Sequence, residues 1–245
     1  GRAGASGGNR QLSPSARAIV VVMNASAGKT ADSGRWLLVL FLAVIFAYSF
    51  NQIRDPDSFY HLKTGRVIWE SGQVPAGDIF SYTARGAPWI AHEWLAEIIF
   101  YAVSNFLGLW GLMAFVAVLA AAAYFIVFRL AVFGGADGRI AALFLFIFGY
   151  LTLELWIPRP QVFAYLSLAA LLFLLEKYRR EKRGRYLVFA VLTLWFWANT
   201  NASFVLGLAV LGFYAAVESA KALGPNLGGA AMDKRSRRML CAALL

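Results

Sequence analysis

Between Trp36 and Ala220 the chain carries a succession of apolar runs, several approaching the ~20 residues needed to cross a hydrocarbon core, joined by short charged connections. A water-soluble domain of 245 residues does not carry so many. With 60% hydrophobic and only 15% charged residues, the pattern predicts an all-α polytopic membrane protein. About six spans are expected, near Trp36–Ile53, Trp94–Phe128, Ile140–Ile157, Gln161–Lys177, Tyr186–Ala198 and Phe204–Ala220. The second is too long for one straight span; its start, up to about Leu107, reads as an interfacial or re-entrant helix, with Gly108 and Gly111 marking the break. Gly207 and Gly212 read as helix-packing positions.

The transmembrane core is expected over residues 36–222. Residues 1–35 read as a disordered cytoplasmic tail, and 223–245 as a basic cytoplasmic loop followed by the start of a seventh span, as in a fragment of a longer protein. Of the 23 Lys and Arg residues, all but Arg54, Lys63, Arg66, Arg85 and Arg159 fall on one side of these spans. That bias predicts a cytoplasmic N-terminus and an extracytoplasmic loop over 51–97. The net charge of +10 is thus a topology signal and implies no nucleic-acid partner. The basic run Lys177 to Arg185 reads as a cytoplasmic loop meeting anionic lipid. A single cysteine, Cys241, excludes a disulfide framework within the chain.

The 51–97 loop gathers scarce titratable groups: Asp55, Asp57, His61, Asp78, His92 and Glu93, including both histidines of the chain. From Asp57 to Glu70 it reads as an amphipathic helix, with Phe59, Leu62, Arg66 and Trp69 at helical spacing and Asp57 or Ser58 as its cap. Asp57 and His61, four apart, share a face. Asp55 and Asp57 either share a divalent cation such as Mg or Mn, whose oxygen preference suits a phosphate ligand, or supply a general base.

A cytoplasmic amino terminus, one span and a long first outer loop opening with Asp55-Pro56-Asp57 resemble the GT-C superfamily of membrane glycosyltransferases, in particular bacterial members. The resemblance covers roughly Trp36 to Ala220 in topology and the first loop in motif. It implies hexosyl or pentosyl transfer from a polyprenyl-phosphate donor to a lipid, glycan or protein acceptor, at the outer face of the bacterial cytoplasmic membrane. It also implies Asp55 as the base or metal-positioning carboxylate, with Asp57 as partner. No Trp-Trp-Asp-Tyr-Gly motif is present, so peptide N-glycosylation gains no support.

His61, Lys63, Asp78, His92 and Glu93 are candidate substrate-binding residues of the loop. Arg159, between Pro158 and Pro160, binds a lipid phosphate, pairs with Glu154 or anchors at headgroups. Asn199 and Asn201 line the same site or act as interhelical glue. The competing functional classes are a transporter or flippase and a non-catalytic subunit of an envelope-glycan assembly. Span interiors nearly free of charge argue against ion coupling.

Overall fold

The computed structural model of the chain describes residues 36–48, 50, 53 and 55–223. The expected tail, Arg54 and residues 224–245, with the start of a seventh span, lie outside the described residues. Within them the chain is all-helical: α1 (Trp36–Tyr48), α2 (Pro56–Ser71), α3 (Trp94–Gly134), α4 (Gly138–Leu151), a 3-10 turn (Leu153–Leu155), α5 (Gln161–Glu181), α6 (Arg185–Thr200) and α7 (Phe204–Leu223). An isolated bridge between Gly77 and Pro88 closes the loop between α2 and α3.

Two helices, α3 and α5, are long and apolar enough to cross a membrane, and α1, α4 and α7 are shorter apolar helices. At 14 residues α4 reaches about 21 Å, short of a ~30 Å hydrocarbon core. The third apolar run therefore does not continue as helix to Ile157. The Thr152 hydroxyl turns back onto the carbonyls of Phe148 and Gly149, and Pro158 and Pro160 follow without backbone N–H groups to extend the ladder. Tyr124 of α3 contacts the Thr152 hydroxyl and accepts a hydrogen bond from Trp156 Nε1, pinning this turn to the bundle.

Packing proceeds in two clusters. In the first, Phe41 and Ile45 of α1, Phe100, Leu112 and Val116 of α3, and Val162 and Phe163 of α5 are buried together. In the second, Leu171, Leu175 and Tyr178 of α5, Leu187, Ala190 and Trp197 of α6, and Leu211 of α7 interlock. Gly207 is a packing position, since a Cβ there would meet Trp197 Cζ3 at 2.8 Å; Gly212 faces open space. Outward faces remain apolar: Trp195 is 62% exposed, Val205 61% and Phe213 72%. So much exposed apolar surface suits lipid better than water.

The helix directions follow from their contacts. Arg159, just before α5, meets Asp55 just before α2, and Asn201, just after α6, meets Glu93 just before α3. The starts of α2, α3, α5 and α7 and the end of α6 thus share one end. At the opposite end Lys177 and Arg180 of α5 lie over Phe133 of α3, and Tyr214 of α7 donates to the Leu175 carbonyl. There Glu176 pairs with Arg179 and Arg180, and Glu181 with Lys177, so two carboxylates offset part of the positive charge of the basic run.

Candidate functional site

Helix α2 begins one residue earlier than its pattern predicts. Asp55 is the cap, its Oδ1 accepting the Asp57 backbone N–H at 3.0 Å, and Pro56 takes the first helical position, where a missing N–H costs nothing. Neither Asp57 nor Ser58 caps. The packed face also differs: Ser58, His61, Thr64, Gly65 and Ile68 are buried, whereas Phe59 and Trp69 are about half exposed. The cause is Gly65, where a Cβ would stand 2.0 Å from the Glu97 carbonyl oxygen. Close approach of α2 to the first turns of α3 selects the small-residue face.

Two groups of polar side chains result. In the first, Arg159 bridges both aspartates: Nη1 lies 3.1 Å from Asp55 Oδ2 and Nη2 2.8 Å from Asp57 Oδ2. Arg159 pairs with these residues and not with its neighbour Glu154 among the described contacts. The rigid Pro158-Arg159-Pro160 turn carries the guanidinium to the α2 N-terminus.

In the second group, His61 Nδ1 lies 3.1 Å from Glu97 Oε1 and 3.9 Å from Glu93 Oε2. Glu93 Oε1 accepts from Asn201 Nδ2 at 2.7 Å and stands 4.0 Å from His92 Nε2. The Asn201 carbonyl is in turn held by the backbone N–H and hydroxyl of Ser203, which fixes the amide's orientation. Burial raises the proton affinity of Glu93 above the usual glutamate range, and the nearby imidazoles of His61 and His92 oppose it. His61, four residues beyond Asp57 and so about 6 Å along α2, ties the two groups together.

The remaining expected residues divide. Asn199 acts as glue: its carbonyl accepts from Trp94 Nε1 and its amide donates to the Trp195 carbonyl. Asp78 serves its own hairpin, accepting from the backbone N–H groups of Phe80 and Ser81, and bonds from Ser81 hold its carboxyl low. Lys63 lies on the exposed side of α2, away from both groups. Glu97, 2% exposed, joins the site unannounced. It sits inside a run that reads as membrane-bound helix, and only its four-residue spacing from Glu93 hints at a shared face.

Asp55 and Asp57 do not fit a divalent cation in this arrangement. Asp55 Oδ1 is committed to the helix cap, and the outer oxygens of both carboxylates face one guanidinium. Among the described residues no group of three His, Cys, Asp or Glu side chains could hold a metal ion.

Among the described residues, the buried side-chain atoms without a hydrogen-bond partner are Ser58 Oγ, Glu97 Oε2, Arg159 Nε and Gln161 Oε1, with Asp55 Oδ2 met only by its ion pair to Arg159. All lie at this one end of the bundle, at the starts of α2, α3 and α5. Each such group costs about 1–3 kcal/mol when left unsatisfied, and groups of them mark places that hold ligand or ordered water. Family models, curated proteins and solved structures give no match to the chain.

Proposed function

We propose that the protein is a multi-pass membrane glycosyltransferase of GT-C type that moves a sugar from a polyprenyl-phosphate donor to a hydroxyl acceptor at the outer face of a bacterial cytoplasmic membrane. In this reading α1 and α3 to α7 are the six spans, local thinning of the bilayer and the end turns of α1 and α4 making up their short length. The basic opposite end faces the cytoplasm. The observation that carries the proposal is the gathering of orphaned polar atoms and charged side chains at one end of otherwise apolar helices. In this reading that end meets the lipid-linked phosphate.

Arg159 is the phosphate-binding group of this reading. Asp55 and Asp57 orient its guanidinium, and the N–H donors they leave over, the unpartnered Nε among them, are those that meet phosphate oxygens in this reading. As the bond between the anomeric carbon and the phosphate oxygen breaks, the electron pair stays on that oxygen, which accepts hydrogen bonds from Arg159. Asp55 and Asp57 thereby become positioning residues for Arg159.

Donor binding tests the assignment. In the full-length protein in nanodiscs, Arg159→Gln weakens binding of a polyprenyl-phosphate sugar about tenfold or more, the loss expected for a charged hydrogen bond worth about 1.5–3 kcal/mol. Unchanged affinity would remove Arg159 from the donor site.

A further inference from the structure

Resting on that reading of the site, we infer that Glu93, and not either aspartate, takes the proton of the acceptor hydroxyl, with the buried His61–Glu97 pair setting its charge state. Asp55 has one oxygen tied to the helix cap and the other beside Arg159. Asp57 faces the same guanidinium. An acceptor hydroxyl would have to displace these contacts to reach either carboxylate.

Glu93 differs in each respect. Its side chain is 19% exposed, against 3% for Glu97, so an acceptor reaches one carboxylate and not the other. Asn201 anchors Oε1 at 2.7 Å from the far side of the site, while among the described residues Oε2 has only His61 at 3.9 Å, too long for a hydrogen bond. One oxygen is thus fixed and the other is available. Burial raises its proton affinity toward that of a useful base.

The groups facing Glu93 come from three elements: His61 and Tyr60 of α2, His92 and Glu97 around the start of α3, and Asn201 at the end of α6. Among them the imidazoles favour the charged carboxylate, and Glu97 disfavours it. Glu97 holds His61 through Nδ1 at 3.1 Å, the same nitrogen that stands 3.9 Å from Glu93 Oε2, and so keeps the imidazole beside Glu93. His61 and Glu97 are therefore positioning residues.

In the step itself the acceptor O–H bond breaks, its proton passes to Glu93 Oε2, and the oxygen pair forms the new bond to the anomeric carbon. The phosphate oxygen leaves with the electrons of the old bond. Products are the glycosylated acceptor, polyprenyl phosphate and a protonated Glu93, which returns its proton to solvent.

The test uses full-length protein in liposomes with a panel of polyprenyl-phosphate hexoses and pentoses, alongside difference infrared spectroscopy of the carboxyl band lost in Glu93→Gln. Expected are a fall in kcat of about 100-fold or more for Glu93→Gln, with donor binding retained, and partial rescue in Glu93→Asp. The base is active above its pKa and is lost as pH falls through it. His61→Gln, which removes an opposing imidazole, therefore moves both the acid limb of kcat and the infrared titration to higher pH. Near-wild-type kcat in Glu93→Gln, or an acid limb unmoved in His61→Gln, overturns the inference while leaving glycosyl transfer standing. A panel with no donor turned over refutes the glycosyltransferase reading, and with it the role of Glu93 as base.

Discussion

Gly65 decides how the candidate site is assembled. With no room for a Cβ against the Glu97 carbonyl, Gly65→Ala pushes α2 off α3 and parts His61 from Glu97. Because the obstacle is backbone, the expected cost is about 1–3 kcal/mol. Faster amide exchange along α2 checks it, and exchange equal to wild type would contradict it. At this scale the titratable residues of the loop were legible because they are scarce, whereas Asp57 and His61, expected to share a face of α2, go to different partners, Arg159 and Glu97. What each one does was not legible. Asp78 turns to backbone N–H groups within three residues of it, and Asn199 divides between the Trp195 carbonyl one turn back and the distant Trp94 indole. Arg159 had three plausible partners, and only the packing of the α5 start against α2 selects the two aspartates. Glu97 was hidden because a carboxylate paired with a histidine 36 positions away leaves no local trace.

Among elements, α3 shows which boundaries a sequence reveals. Its helical path breaks at Gly108, where φ is 69° and ψ −177°, a conformation essentially confined to glycine. The expected break before the long apolar segment is at that residue. Gly108→Ala meets no atom within 4 Å, so its cost is backbone strain alone, about 1–3 kcal/mol. A lower midpoint of detergent-induced unfolding is expected, and an unchanged midpoint would show that α3 runs straight through 108. Helix ends were less legible. The third run looked continuous to Ile157 because Leu153, Leu155, Trp156 and Ile157 are as apolar as the helix before them. The hydroxyl of Thr152 and its contact with Tyr124 end α4 early, a tertiary effect with no periodic signature. In α2 the large apolar side chains suggested one face, but the closeness allowed by Gly65 favoured the other.

Over the whole molecule the two ends of the bundle are chemically distinct. One gathers carboxylates, imidazoles, Arg159 and every orphaned buried side-chain atom among the described residues; the other carries the ion-paired basic run. This polarity was legible as charge bias along the chain, and the all-helical architecture as apolar run length. The central claim is that the polar end moves sugars from a lipid-linked donor. Its most direct measurement is the release of free polyprenyl phosphate from radiolabelled polyprenyl-phosphate sugars, by full-length protein in sealed liposomes supplied with candidate lipid and glycan acceptors. The account predicts acceptor-dependent release with at least one donor, lost in Arg159→Gln. No release with any donor and acceptor pair, from protein that is folded and correctly inserted, would contradict it.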